Sequence, residues 1–322
     1  MRTVLSVACM WPLIAGGAIG IPLEELGRQF SPPANVVIEW KATNVLPAQV
    51  TVYGVVGREF SSVVMSNMLA LGAWKIDQRT RVPGRKRVPQ DKDIVHFGRE
   101  DEPKQLSVYP PAGLIQYRDS QACASPSGRA HAVPDETEAL HLARAFLKRL
   151  EIDERDLVKD TNGQPRVVRA KTTHGRQGIQ EVISRSISFT RESDGIPFTG
   201  YNFGGVGIAF GNEGKIASLE VVWPNLKATE RLATVSPPEL MSYVEHGRSA
   251  SRWGAGSDEL MRGISKLQRI TVNEVKFYYL GNSLDDMRTT IFPFATLEIT
   301  AHLPNTNYVV WLNAPMAASV TK

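Results

Sequence analysis

The sequence predicts an α+β fold in which antiparallel sheets have helices packed on one face, arranged in two domains. Three observations predict it: strand-like runs outnumber helical ones, short turns join successive strands, and two strongly capped helices separate the groups of strands. Strands joined by short turns pair antiparallel because a parallel pair needs a long crossover connection. The length of 322 residues is enough for about two domains.

The chain is predicted to begin with a signal peptide, residues 1–20. Arg2 supplies a positive start, an apolar run extends from Val4 to Ile19, and the small residues Ala18 and Gly20 precede the cleavage site. An uncleaved membrane anchor is the alternative, but the run is shorter than the ~20 apolar residues that a spanning helix needs. We therefore expect a secreted or periplasmic protein, cut after about Gly20, with no membrane span after cleavage.

The N-terminal domain is predicted at residues 21–119 and begins with two strands and a helix. Apolar residues recur at helical spacing from Phe60 to Leu71, and Gly72 stands where a helix C-cap is expected. A basic loop then contains Lys86-Arg87, which we interpret as an exposed loop with solvated charges, with proteolytic processing as the alternative. The predicted elements are strands at 36–40, 49–55, 93–97, 105–109 and 113–117 and a helix at 59–71.

A linker at 120–134, rich in Ser, Ala, Gly and Pro, is predicted to separate this domain from a C-terminal domain at 135–322. The first helix of that domain has Asp135 as N-cap and Glu138 three residues later, which is the arrangement of a capping box. A second helix begins with Ser236-Pro-Pro-Glu239, where proline at the first helical position strengthens the same signal. The predicted strands lie at 165–171, 179–191, 204–210, 215–223, 268–280, 289–302 and 308–312.

Part of this C-terminal region resembles a known group of exported proteins. The likeness is carried by the helix 135–150, the hairpin 207–220 with its Gly-Lys-Ile turn, Trp223-Pro-Asn-Leu226 and Ser236-Pro-Pro-Glu239. Over about residues 135–245 these features resemble PepSY-like proteins and YycH/YycI-type extracytoplasmic regulators of bacterial sensor kinases. The resemblance implies PepSY/cystatin-like units that bind or regulate a peptide or protein, and it supplies no catalytic residues. The cleavable N terminus departs from the YycH/YycI pattern, which keeps a membrane anchor.

Charge and motifs exclude several classes of function. The chain has 37 Lys and Arg against 33 Asp and Glu, and the two signs are interleaved, so we expect no nucleic-acid partner. The six histidines form no HxH, HxxxH or HExxH pair, so no metal site is predicted. The glycine-rich segment 201–207 lies between strands and not before a helix, so no nucleotide or other cofactor is expected. Because Cys9 lies in the signal peptide, Cys123 is left without an internal disulfide partner.

The last strands carry the predicted catalytic site. Alternation along the strand 289–302 places a set of polar residues on one face: Thr296, Glu298, Thr300 and His302. Glu298, His302 and Tyr278 are the candidate catalytic residues, because a carboxylate, an imidazole and a phenol on adjacent strands can act as general base and general acid. A solvated face with a cross-strand pair between Lys276 and Glu298 is the alternative interpretation.

A second set of residues is predicted to bind a ligand: Arg185, Arg191, Thr296 and Tyr279. The two arginines are six residues apart on one strand and therefore share a face, which favours an anionic ligand. The sequence supports two functions. The first is an exported, non-catalytic binding or regulatory module that engages a peptide, a protein or a small ligand on an open sheet face. The alternative is a cofactor-independent acid–base enzyme, an isomerase, cyclase or lyase of a small organic molecule.

Overall fold

A computed structural model of the chain describes residues 26–79, 94–124, 132–176, 179–199, 205–251, 256–280 and 290–316. The side chains of residues 174–176, 179 and 180 are not described. The predicted signal peptide, its cleavage site and Lys86-Arg87 lie outside the described residues, as does most of the predicted linker.

The described residues contain eighteen strands and four α-helices. The strands are β1 (Arg28–Phe30), β2 (Val37–Trp40), β3 (Gln49–Val56), β4 (Val95–Phe97), β5 (Lys104–Tyr109), β6 (Leu114–Asp119), β7 (Val167–Arg176), β8 (Ile179–Thr190), β9 (Glu192–Ser193), β10 (Ile196–Thr199), β11 (Gly205–Phe210), β12 (Ile216–Val222), β13 (Asn225–Ala233), β14 (Ser249–Ser251), β15 (Arg269–Leu280), β16 (Thr290–Ile291), β17 (Pro293–Leu303) and β18 (Thr306–Pro315). The helices are α1 (Ser62–Gly72), α2 (Glu136–Arg149), α3 (Pro237–Glu245) and α4 (Ser257–Gly263).

The predicted α+β class, with helices packed on one face of antiparallel sheets, is wrong. The structure is mostly β, with 48% strand, 22% helix, three sheets and four short helices. The sequence pattern underestimated the number of strands, because some strands lack the alternation of apolar and polar residues. β13 is polar and almost wholly exposed, while β1, β9, β10 and β14 have only two to four residues each. β15 pairs in parallel with β2 and with β10, whereas antiparallel pairing was expected.

The described residues form two compact units that do not follow chain order. The central unit takes the described residues of Gln49–Leu232 and Val275–Thr296, and the terminal unit takes those of Met1–Ala48, Ala233–Glu274 and Leu297–Lys322. Residues 120–134, where the sequence predicted a linker between domains, fall within the range of the central unit. The predicted domain ranges stay predictions.

The central unit is built on a seven-stranded sheet in the order β4-β5-β6-β12-β11-β8-β7, in which all neighbours are antiparallel. Its covered face is apolar because alternate residues of the strands are large and buried. One row across five strands consists of Leu106, Tyr117, Leu219, Ile208 and Ile187. Helices α1 and α2 contribute buried residues such as Met68 and Leu147 to the same core.

Two of the three predicted helix starts, at Asp135 and Ser236, are confirmed, whereas α1 begins at Ser62 and not at residue 59, and its C-cap is Ala73 and not Gly72. Asp135 Oδ1 accepts a hydrogen bond of 2.8 Å from the Glu138 N–H at the start of α2. At the start of α3 in the terminal unit, the Ser236 N–H and the Ser236 hydroxyl both donate to Glu239 Oε2, at 2.6 and 2.8 Å. These short-range contacts depend on neighbouring residues alone, which is why a local pattern predicts them. Among the described residues, no helix combines the length and the apolar character that crossing a membrane requires.

Candidate functional site

The uncovered face of the seven-stranded sheet forms a shallow open cavity of about 410 Å³, which we call the serine trough. Its floor consists of small residues from four strands: Ser107, Ser186, Ser188, Gly207, Ala209 and Ser218. Four longer polar side chains also line it: Gln105, Gln116, Arg118 and Glu220. The trough therefore offers many hydrogen-bonding groups. The charges of Arg118 and Glu220 are opposite, so together they contribute no net charge.

Strand register explains why these residues lie together. One row runs across the sheet through Ser107, Gln116, Glu220, Gly207 and Ser188, each opposite the next. The adjacent row follows the same strands: Gln105, Arg118, Ser218, Ala209 and Ser186. Each residue is two positions along its strand from its counterpart in the first row, so both rows point to the same face. The large apolar residues between them point to the covered face.

Gly207 makes the floor low in the middle of the trough. A Cβ atom at this position would lie 3.5 Å from Ser188 Oγ, which is an ordinary contact, and the backbone is not in the left-handed region. A side chain could therefore be accommodated there without backbone strain. Its absence opens space at the surface, and the glycine is not needed for a turn.

The trough is bounded at one end by a small apolar cluster on the same side of the sheet. Tyr109, Leu114 and Val222 are buried in it, and each is two residues beyond a trough residue on its strand. Gly113, between the first two, has φ +60°, and a Cβ there would lie 2.4 Å from the Trp223 carbonyl oxygen. The chain therefore requires glycine at this turn.

At its other end the trough adjoins an acidic-loop pocket of about 380 Å³, with which it shares Gln105 and Arg118. The pocket is lined by the loop acids Glu100, Asp101 and Glu102. Gln105 Nε2 donates a hydrogen bond of 2.9 Å to the Glu100 carbonyl oxygen, which fixes the loop against β5. A histidine also belongs to this side of the sheet: His96 Nδ1 lies 2.9 Å from the hydroxyl oxygen of Ser107.

Two of the predicted catalytic residues, Glu298 and His302, lie in the terminal unit on one face of β17. The predicted alternation is confirmed there: residues 298, 300 and 302 are partly exposed, while Leu297, Ile299 and Ala301 are fully buried. His302 is held on both sides of its ring. Its Nδ1 lies 2.9 Å from Asn307 Oδ1 and its Nε2 lies 3.1 Å from Thr271 Oγ1. Because an amide oxygen only accepts, the contact with Asn307 Oδ1 requires a proton on Nδ1, and in the neutral ring Nε2 then accepts from the threonine hydroxyl.

The third predicted catalytic residue, Tyr278, belongs to the central unit, where its ring centroid lies 5.9 Å from that of Phe294. Tyr279 is fully buried and donates a hydrogen bond of 3.0 Å to the Thr51 carbonyl oxygen. Burial raises the pKa of the Tyr279 phenol. Thr296 is also buried, with 4% of its surface exposed. Neither the serine trough nor the acidic-loop pocket is lined by these residues or by Glu298 and His302. Their assignment as site residues stays a prediction.

The predicted anion-binding pair, Arg185 and Arg191, does point to one side of the sheet. It is the side to which the buried residues Ile187 and Phe189 also point. They therefore point to the covered side of the sheet and not into the serine trough. The guanidinium carbon of Arg191 lies 4.8 Å from the ring centroid of Trp223 and 5.6 Å from that of Phe198. Burial lowers the pKa of Arg191 to about 10.

Arg58 is a further partly buried cation that sequence reasoning missed. Its Nη2 donates a hydrogen bond of 2.8 Å to the Leu150 carbonyl oxygen, and burial lowers its pKa. Its positive charge also contributes to the lowered pKa of Arg191. The two arginines are far apart in sequence and share no motif, so no local signal relates them. Both act as donors to backbone carbonyl groups, because Arg191 Nη1 donates to the Pro224 oxygen at 2.6 Å.

Cys123 is a free, partly exposed thiol, and burial is the main factor that raises its pKa. A raised pKa disfavours the thiolate, which is the nucleophilic form. Within the part of the chain that the structure describes, no group of three or more His, Cys, Asp or Glu side chains could hold a metal ion.

Comparisons with known proteins add no functional assignment. No family model matches the chain, and no curated protein matches it. Nine chains of solved structures match, among them the crystal structure of an uncharacterized protein from Eubacterium rectale. The match covers 86% of this chain and 86% of that chain, at 12% sequence identity and with a TM-score of 0.45. This likeness is too low to carry an argument. The resemblance to PepSY-like proteins stays a prediction.

Proposed function

We propose that the protein is a non-catalytic binding module that engages its ligand in the serine trough. The observation that carries the proposal concerns the uncovered face of the seven-stranded sheet. Two adjacent rows on this face consist of polar and small residues, and glycine, alanine and serine occupy the centre of the face. A sheet face that only meets solvent has no need of small residues at its centre, because long charged side chains are more usual there. The small floor leaves room for a bound molecule.

The chemistry of the trough favours a polar, hydrogen-bonding ligand. Ser186, Ser188 and Ser218 present hydroxyl groups that both donate and accept, and Gln105 and Gln116 add amides with the same capacity. Arg118 and Glu220 carry opposite charges, so the trough selects neither anions nor cations by its own charge. Backbone amides of an extended peptide, or the hydroxyl groups of a small polar molecule, match this set of donors and acceptors.

The proposal includes export of the protein, with the signal peptide removed after about Gly20. Its support is the order of the positive, apolar and small residues at the N terminus. Mass spectrometry of the protein recovered from culture medium or periplasm tests it, and a mature chain that still starts at Met1 would contradict it.

A thermal-shift screen against metabolite and peptide libraries tests ligand binding. A ligand at 100 times its Kd is expected to raise the free energy of unfolding by about 2.7 kcal/mol. Gly207→Leu fills the floor of the trough and should abolish this gain. The matched control is Ala228→Leu, which adds a leucine at an exposed position of β13 in another sheet. Equal stabilisation of both variants by the ligand would place its site elsewhere.

The acid–base alternative, built on Glu298, His302 and Tyr278, stays a prediction. The hydrogen bonds at both ring nitrogens of His302 give it no support, because a general base needs a nitrogen free to accept a substrate proton.

A further inference from the structure

The last strand of the seven-stranded sheet, β7, is exposed along most of its length. Among the described strands it pairs with β8 alone and ends the sheet. All residues from Val168 to Thr173 are exposed, and Val168 has 52% of its surface open. A strand with six consecutive exposed residues has both faces and its outer edge open to solvent.

The outer edge of β7 carries backbone groups that pair with no other described strand. In an antiparallel strand, every second residue directs its N–H and C=O away from its neighbour. Over Val167–Thr173, about three N–H and three C=O groups therefore point away from β8. Such an edge can accept a further strand, and proteins use this mode to bind extended peptide segments.

Positive side chains flank this edge on one face. Arg169 and Lys171 are two residues apart and so point the same way, and Arg185 lies opposite Lys171 on β8. One carboxylate offsets them in part, since Glu136 Oε1 lies 2.9 Å from Arg169 Nε. Arg166, immediately before the strand, is also exposed. The edge therefore attracts a segment that carries acidic side chains.

A second copy of β7 would fit this edge poorly. Two such strands side by side would bring arginine and lysine residues close to each other, and like charges opposite one another destabilise a strand pair. This repulsion discourages self-association while leaving an acidic partner favoured.

We propose that β7 binds an extended, acidic segment of a partner protein, which pairs with it as an eighth strand. Backbone hydrogen bonds to Val167–Thr172 hold the segment. Alternate acidic side chains lie beside Arg169 and Lys171. The site is a different surface from the serine trough, so a test of one proposal does not decide the other.

Fluorescence anisotropy with labelled peptides tests this proposal. The probes are Thr-Glu-Val-Glu-Val-Glu-Thr, the same peptide with lysine in place of glutamate, and the acidic peptide N-methylated at its internal backbone nitrogens. The acidic peptide is expected to bind about tenfold more tightly than either of the other two. Lys171→Glu should weaken its binding about tenfold, because attraction becomes repulsion. Lys227→Glu, with the same change of net charge on exposed β13, should leave it unchanged.

Three results would overturn the proposal. The first is no binding of the acidic peptide to a folded protein. The second is equal binding of the N-methylated peptide, which would show charge attraction without strand pairing. The third is equal weakening by Lys171→Glu and Lys227→Glu, which would show a response to net charge alone. Thermal unfolding of each variant establishes that it is folded, and Gly207→Leu, which alters the trough alone, should bind the acidic peptide as the unaltered protein does.

Discussion

The guanidinium of Arg191 lies over the ring of Trp223, with its central carbon 4.8 Å from the ring centroid. Arg191 follows β8 directly and Trp223 follows β12, so the contact joins the ends of two strands that contribute to the serine trough. The hydrogen bond from Arg191 Nη1 to the Pro224 oxygen strengthens the same connection. We infer that the arginine predicted to bind an anion stabilises the sheet from its covered side.

Replacing this side chain should lower stability substantially. Arg191→Ala removes a cation–π contact, packing against two aromatic rings and the donor to Pro224, and we expect a loss of about 3 kcal/mol in the free energy of unfolding. Arg155→Ala is the control, because the ion pair of Arg155 with Asp153 is exposed and its loss should change the free energy of unfolding little. Urea unfolding followed by tryptophan fluorescence measures both. Similar losses for the two variants would refute a structural role of Arg191.

Asp194 should stabilise the central unit through its charge. Its carboxylate accepts hydrogen bonds from Thr51 Oγ1 at 2.6 Å and from the Tyr53 hydroxyl at 2.9 Å. The Thr51 bond is the main factor that lowers the pKa of Asp194 below its usual value of 3.8. The folded state therefore favours the ionised form, and the stabilisation is present above about pH 4 and is lost as the pH falls below it.

Asp194→Asn tests this effect, because asparagine tolerates the left-handed backbone of residue 194 (φ 52°) equally well. At pH 7 the variant should be less stable by about 1–2 kcal/mol, since its amide accepts weaker hydrogen bonds. Denaturant titrations between pH 7 and pH 2 should show the two proteins converging at low pH. A difference that persists undiminished in acid would contradict a contribution from the charge.

Alkaline pH should unfold the protein through its buried tyrosines. Burial raises the pKa of Tyr117 from 10.0 to about 12, and it also raises that of Tyr279. Above pH 10 the unfolded chain loses these protons while the folded chain keeps them, so the free energy of unfolding falls as the pH rises. For Tyr117 the loss between pH 10 and 12 is about 2 kcal/mol.

Tyr117→Phe removes one of these titrating groups, together with the 3.3 Å hydrogen bond to the Leu71 oxygen. The variant should be somewhat less stable at pH 7, and its stability should fall less steeply above pH 10. Urea titrations at a series of alkaline pH values measure the slope. An identical slope in both proteins would mean that Tyr117 already ionises normally in the folded state.

The floor of the serine trough should tolerate a large side chain. Gly207→Leu places its Cβ at an ordinary distance from Ser188, and leucine favours a strand more than glycine does, so stability should change by less than about 1 kcal/mol. Gly211→Ala is a smaller change with a larger expected cost, because its Cβ would lie 2.2 Å from the Ala122 carbonyl oxygen. Thermal unfolding compares them, and a greater loss in Gly207→Leu would contradict the open trough.

Local patterns in the sequence predicted much of the secondary structure. The caps at Asp135 and Ser236, and the long strands β8 and β15, lie within two residues of their predicted bounds, because they depend on neighbouring residues and on apolar alternation. The single strand predicted at 289–302 is divided into β16 and β17. β13 was missed because its residues are polar and exposed, so its place in a sheet depends on pairing with a distant strand. The fold class was wrong for the same reason.

The site was harder to predict than the elements. Ser107, Ser186 and Ser218 are far apart in sequence and lie near one another only because of strand order and register. No local motif relates them, although the sequence shows the alternation of small and large residues in β8 and β11. Arg191, by contrast, was identified by its chemistry, and its orientation toward Trp223 depends on the tertiary structure.

Hydrogen exchange followed by mass spectrometry, with and without a ligand found in the thermal-shift screen, tests the central proposal most directly. A ligand in the serine trough should slow amide exchange in β11 and β12, residues 205–222, whose side chains line its floor. Protection confined to residues 269–274 and 297–303 of the terminal unit, with no change in 205–222, would contradict the proposal and would place binding at the face that holds Glu298 and His302.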